Sequence, residues 1–173
     1  MDWRLIFVSK MKYRLFDTRT GKLEEPITNF SFEKLNNVLI CSFEAKDSSL
    51  NSYSNKNNDD LYLGDVVELF LDLGSDFYYE FEVAPNNATF VAKIVNSKPV
   101  FIDSSFFESE VKIIDKDYYV QMKIDLSNLD KYEEIKINAF RIETKGIKSE
   151  LILQALSPTL CNTFHVRDKF IKI

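Results

Sequence analysis

Three features of the sequence predict an all-β fold, an antiparallel two-sheet β-sandwich. Apolar and polar residues alternate with period two over most of the chain. The alternating segments are short and separated by polar turn residues. Helical signal is poor, with no amphipathic stretch of three convincing turns. The chain has 173 residues, enough for one domain spanning 1–173 with a core that needs no metal or disulfide. With only four Gly and four Pro, most turns fall to Asn, Asp, Ser and Lys.

The N-terminal stretch carries Arg4, Lys10, Lys12, Arg14, Arg19 and Lys22, interleaved with Trp3, Phe7, Tyr13 and Phe16. It reads as the first strands, with basic groups in solvent that also discourage edge pairing. Residues 38–45 put Leu39, Cys41, Phe43 and Ala45 on one face. Residues 46–60, KDSSLNSYSNKNNDD, are polar and read as an exposed loop. Residues 65–72 put Val67, Leu69 and Leu71 on one face and Glu68 and Asp72 on the other, so Glu68 points away from the core. Residues 78–83 alternate most cleanly: Tyr79, Phe81 and Val83 against Tyr78, Glu80 and Glu82. Residues 88–95 group Phe90, Ala92 and Ile94, and residues 118–125 group Tyr118, Val120, Met122 and Ile124. Residues 135–142 are apolar on both faces, as in a central strand, and residues 150–156 are a further strand. Hairpin connections are expected at 73–76, at 85–87 with Asn87 left-handed, and at 115–117. Residues 127–134 suit a short helical turn capped by Ser127 or Asn128.

Composition narrows the function. Hydrophobic residues at 45% and charged residues at 28% argue against disorder, collagen and coiled coil. A formal charge of −5 has the wrong sign for a dominant nucleic-acid or anionic-membrane role. No stretch approaches 18 apolar residues, and no signal peptide is visible at the start. The compartment stays open: cytoplasmic, or extracellular for an excised module. His165 is the single histidine, which excludes a site built from several. Cys41 and Cys161 cannot make a CxxC zinc motif and read as two buried free thiols. Gly21, Gly64, Gly74 and Gly146 do not cluster, so there is no phosphate loop.

The segment 60–92, DLYLGDVVELFLDLGSDFYYEFEVAPNNATFVA, resembles the central region of carbohydrate-binding module family 9 and its DOMON-like relatives. Asp65, Glu68, Phe70 and Asp72 match a D-x-x-E-x-F-x-D strand, and residues 78–82 match the following YYEFE. Asn138 to Arg141 resembles an N-x-x-R strand. Residues 156–159 with 164–170 resemble the W-S-P-T … F-H-x-P-x-x-F-G ending. These anchors cover about two thirds of the chain, in order.

The resemblance implies a β-sandwich and a non-catalytic module that binds a saccharide or similar small polar ligand. The implied site is Tyr62, Asp65, Glu68, Asn138 and Arg141, with Leu156 where the family has a stacking tryptophan. Carboxylates and a guanidinium suit paired hydroxyls, and a flat apolar wall suits the pyranose face. The two-tryptophan clamp is absent, and Tyr62 or Tyr53 is left to supply a wall. The alternative is a structural or protein-interaction sandwich that has lost the pocket and binds a protein partner.

Glu68 and Arg141 are expected as a charged pair, either recognising ligand or tying two strands. Glu80 and Glu82, about 6.5 to 7 Å apart at i, i+2 spacing, fall near the carboxyl separation of inverting glycosidases. Any alternating acidic strand gives that spacing, so they read as a solvated face. His165 reads as structural in a C-terminal segment that closes the sandwich, with Phe164 and Phe170 as core anchors. No cofactor is called for. Calcium is the one metal left open, through Asp59, Asp60, Asp72 and Asp76, although their spacing is not that of an EF-hand.

Overall fold

The alternation is realised as strands in a computed structural model that describes residues 11–47, 49–144 and 151–173. In chain order they are β1 (Tyr13–Arg14), β2 (Phe16–Asp17), β3 (Thr28–Leu35), β4 (Val38–Ala45), β5 (Val66–Asp72), β6 (Tyr78–Val83), β7 (Thr89–Val95), β8 (Lys98–Phe101), β9 (Phe107–Ile114), β10 (Asp117–Asp125), β11 (Lys136–Glu143), β12 (Ile152–Ala155) and β13 (Ile171–Lys172). The smaller sheet runs β1-β3-β4-β10-β9. The larger runs β2-β12-β11-β5-β6-β7-β8, with β13 extending β11. Every pairing is antiparallel. The fold is the expected two-sheet β-sandwich.

Strands β3, β8 and β13 escaped the sequence reading, and β9 was legible only at its end, before the 115–117 turn. In β3 Phe30 and Phe32 alternate with Asn29, Ser31 and Glu33, a period-two signal that the sequence already carries. In β8 every residue is exposed at the sheet edge, so no alternation exists to detect. The turn expected over 127–134 is shorter and earlier, a 3-10 turn at Leu126–Asn128. Its cap is Asp125, whose carboxylate accepts the Ser127 amide at 3.0 Å, rather than Ser127 or Asn128. Trp3, Arg4, Phe7, Lys10, Gly146 and Glu150 lie outside the described residues. Lys12 and Arg14 do face solvent and pair with Glu44 and Glu25.

The turns use the predicted chemistry. Asn87 is left-handed (φ 64°). Asp115 and Lys116 are both at positive φ between Ile114 and Asp117, and Asn96 and Ser97 repeat this between Val95 and Lys98. Two central residues at positive φ match the right-handed twist of the flanking strands.

The main core lies between the sheets. Leu39, Cys41, Phe43 and Ala45 of β4 and Tyr118, Val120, Met122 and Ile124 of β10 meet Val67, Leu69 and Leu71 of β5, Tyr79, Phe81 and Val83 of β6, and Ile137 and Ala139 of β11. Full burial of each large side chain contributes roughly 1.5–3 kcal/mol over exposure. The smaller sheet alternates buried and more accessible residues along β4 and β10. The larger does not: every residue of β5 and β6 is buried. Its outer face carries a second apolar cluster, including Val66, Phe70, Phe90, Phe140 and Ile142, which explains why residues 135–142 read as apolar on both sides.

The C-terminal segment covers part of that outer face. Phe164 stacks on Phe140 at 4.2 Å between ring centroids, and Phe170 packs on Phe70 at 5.9 Å. Arg167 locks the segment down by two hydrogen bonds of 2.7 Å to Asp72 and a third to the Ser75 carbonyl. Phe164 and Phe170 are therefore core anchors as expected, but of this outer cluster. Both cysteines are free thiols; Cys41 is buried and Cys161 is only partly so.

Candidate functional site

The C-terminal segment and the 3-10 turn Leu61–Leu63 leave a cleft of about 240 Å³ between them on the outer face of the larger sheet. Its floor is acidic. Strand pairing sets Glu68 of β5 opposite Glu82 of β6, and Phe70 opposite Glu80. The three carboxyls therefore share one face on two adjacent strands. Phe140 flanks Glu68, and Phe90 flanks Glu82 on the other side. Tyr62, Ile142, Leu153 and residues 162–165 form the walls.

Burial dominates the electrostatics. Glu68, Glu80 and Glu82 are 3%, 6% and 2% exposed. Burial pushes Glu80 up to about 7. Glu68 is raised well above its usual value by burial, then by the charges of Glu82 and Glu80. Glu82 is raised in the same way, by burial and then by the charge of Glu80. Among the described residues no Lys or Arg lines the cleft to offset this. Glu82 Oε2 is buried without a hydrogen-bond partner.

His165 joins this site. Its ring lies 5.1 Å from Phe70, and Nδ1 is hydrogen-bonded to the Tyr78 hydroxyl. Burial raises the Tyr78 pKa and lowers that of His165. Both shifts favour the neutral forms, so the Tyr78 hydroxyl and the His165 imidazole share an uncharged hydrogen bond.

The structure divides the six residues expected in the site. Tyr62, 48% exposed, and Glu68 line the cleft. The other four do not. Asp65 is fully buried and accepts the Asn51 amide at 2.7 Å, the Thr144 amide at 2.7 Å and the Thr144 hydroxyl at 2.9 Å. Asn138 clips β11 to Ser157, donating to its carbonyl at 2.8 Å and accepting its amide at 3.0 Å. Leu156 packs against the main core.

Arg141 corrects the expected charged pair. It is paired in register with Val67, on the core face, whereas Glu68 faces outward. The two side chains leave opposite sides of the sheet and cannot meet. Arg141 instead pairs with Asp47, all three side chains of the cluster being fully buried, and lies 3.5 Å from Glu143. The guanidinium sits 5.9 Å from the Tyr118 ring. Burial, then the charges of Asp47 and Asp65, push Glu143 up to about 7 against the pull of Arg141.

The acidic loop was also misjudged in part. Asp47 is buried rather than solvated. Asn57 and Asn58 accept the Thr89 and Val91 amides at 3.0 Å each, along the stretch of β7 beyond the end of β8. Gly64 is held by close approach: a Cβ there would lie 2.6 Å from the Tyr53 nitrogen. Asp72, one of the four residues considered for calcium, is occupied by Arg167. Among the described residues no three acidic, His or Cys groups gather in a way that could hold a metal ion.

Glu80 and Glu82 are the principal omissions. The expectation of a solvated face fails because the outer face of this sheet is covered. The signal was in the sequence: Glu68, Glu80 and Glu82 share the outward phase with Phe70, Phe140 and Ile142, whose apolar character already called for a cover.

Comparison with known proteins supports the architecture. A candidate carbohydrate-binding protein from Bacteroides uniformis superposes with a TM-score of 0.78 at 14% identity, over 94% of this chain and 84% of that chain. A carbohydrate-binding module of family 9 from Caldicellulosiruptor kristjanssonii, solved with cellotriose, gives 0.62 at 18% identity over 85% and 72%. A family 9 module of the same organism, solved with glucose, gives 0.60 at 16% identity over 90% and 88%. The chain thus has the fold of these modules, as its resemblance to family 9 implied; the DOMON-like likeness rests on the sequence motifs. No protein-family model matches the chain. A protein of Arthroderma benhamiae named "Extracellular protein" is 37% identical over 76 residues, 41% of this chain. That match spans 34% of the relative's own length.

Proposed function

We propose that the protein is a non-catalytic binding module and that the outer cleft holds a saccharide or a similar small polar ligand. The observation that carries this reading is an open cleft whose floor has three buried carboxyls and, among the described residues, no cation. Such groups are costly to bury unsatisfied, and sugar hydroxyls are donors suited to them. Tyr62 and Phe164 supply the apolar wall that the sugar C–H face needs. The shared fold with modules solved with cellotriose and glucose adds support.

Binding is favoured over turnover by the same electrostatics. Glycoside hydrolysis needs one protonated carboxyl beside one held ionised. Here burial raises all three; the hydrogen bond between Glu80 and Glu82 only tempers the rise of Glu80, and among the described residues no Lys or Arg lines the cleft to hold any of them ionised. A structural or protein-interaction domain would be expected to fill the cleft and neutralise Arg141 with Glu68. The cleft is open, and Arg141 is neutralised on the other face. In this reading Asp65, Asn138 and Arg141 are scaffold, and Tyr62, Glu68, Glu80, Glu82 and His165 are the contacts.

The test is calorimetric titration with glucose, cellobiose and cellotriose, with and without added calcium. Saturable binding tighter than about 1 mM, roughly 4 kcal/mol, is expected without calcium, and Glu68→Gln should weaken it. A flat response to all three sugars under both conditions overturns the reading and turns the search to a protein partner.

A further inference from the structure

We infer that the cleft prefers a cationic saccharide, an amino sugar bearing an ammonium group, to a neutral one. This rests on the saccharide-binding reading and names its ligand class. The first ground is the lining. Among the described residues it holds three carboxyls, the His165 imidazole, Tyr62, Asn162 and Thr163, and no Lys or Arg. Arg167 of the covering C-terminal segment is already engaged by Asp72.

The second ground is the orphaned acceptor. Glu82 is 2% exposed, lines the cleft, and its Oε2 has no hydrogen-bond partner. An ammonium offers three N–H donors and no lone pair. It can serve Glu82 together with its cross-strand neighbour Glu68 and with Glu80. A hydroxyl offers one donor and brings lone pairs that face other oxygens. A metal ion could also answer clustered carboxyls, but these groups are not arranged to hold one.

The third ground is charge balance. Burial and mutual repulsion favour protonated carboxyls in the empty cleft. An arriving cation reverses that balance, so its binding should expel protons and tighten as pH rises. The groups facing the trio are Tyr62, Tyr78 and His165, with Asp60 acting on Glu82 and Arg167 on Tyr78. Arg167, the one cation among the groups named, is held by Asp72.

The experiment compares D-glucosamine, D-glucose and N-acetyl-D-glucosamine by calorimetry near pH 6.5, where the first carries its proton, in buffers of different ionisation enthalpy. Glucosamine should bind at least tenfold more tightly than both neutral sugars and should alone release protons. Glu82→Gln, nearly isosteric, should reduce that preference several-fold, with folding checked by circular dichroism. Equal binding of all three sugars overturns the inference and leaves the saccharide reading standing. No binding of any sugar overturns both. Methylammonium binding as tightly as glucosamine also overturns both, because the sugar ring would then contribute nothing.

Discussion

The larger sheet carries two buried charge clusters on opposite faces, Arg141 and Glu143 of β11 on one and Glu68 of β5 with Glu80 and Glu82 of β6 on the other, and the two solve different problems. On the core face, Arg141 sits among Asp47, Glu143 and the Tyr118 ring, with its own charge matched at close range. On the outer face, Glu68, Glu80 and Glu82 sit together with no positive partner and an opening to solvent. A buried ion pair is held by its own members, and its removal leaves an uncompensated charge. A cluster of like groups is held only by the fold around it, and it stays expensive until something binds. The first arrangement belongs to a scaffold, whereas the second belongs to a site that pairs with a ligand.

The largest expected effect breaks the inner cluster. Arg141→Ala leaves Asp47 and Glu143 buried without their cation, and should lower unfolding free energy by about 3–5 kcal/mol. Urea denaturation at neutral pH measures this directly. The contrast would be reversed by a variant that keeps wild-type stability but loses ligand binding, since Arg141 would then act in recognition.

The opposite sign is expected on the outer face. Glutamates whose folded pKa lies above the ordinary 4.5 stabilise the fold below that value and withdraw the contribution as pH rises through the folded pKa. For Glu80 the window runs from 4.5 to about 7, and for Glu68 and Glu82 it also opens upward from 4.5. Glu82→Gln removes one such group and relieves the other two. It should make the protein more stable than wild type by on the order of 2 kcal/mol at about pH 8. The gain should vanish near pH 4.5. Paired urea titrations at the two pH values check this, and an unchanged or lowered stability at the higher pH would show that the three carboxyls are better solvated than their burial implies.

The difference between the clusters also marks how far the sequence could be read. Period-two alternation located β4 and β6 to the residue and set the inward phase of β5, because strand sterics are local. It could show that Glu68 leaves the core, but not what lies over the opposite face. That depends on the C-terminal segment returning some 90 positions later, pinned by Arg167 on Asp72. Glu80 and Glu82 therefore read as a solvated face in sequence, whereas they form the floor of the cleft. Arg141 failed for a related reason. Its strand is apolar on both faces, so sequence could not fix its phase, and only the register with Val67 does. Motif resemblance grouped Asp65, Asn138 and Arg141 with Glu68 by position along the chain. The structure puts Arg141 on the face opposite Glu68, whereas Asn138 shares Glu68's outward phase but is spent on the Ser157 backbone.

Tyr62 offers the smallest perturbation of the fold and the sharpest test of which face binds. Its side chain is 48% exposed on a 3-10 turn at the cleft wall, so Tyr62→Ala should change stability by no more than about 0.5 kcal/mol. It removes the flat surface against which a sugar ring would pack, a contact worth about 0.5–1.5 kcal/mol. Saccharide affinity should therefore fall roughly two- to tenfold while the denaturation curve stays in place. Leu156, at the family's tryptophan position, packs on the core instead, so Leu156→Ala should show the inverse pattern: lost stability, with the sugar contact retained in whatever fraction remains folded. If Leu156→Ala weakens binding to the folded protein and Tyr62→Ala does not, the recognition face is the one the motif suggests rather than the one the three glutamates line.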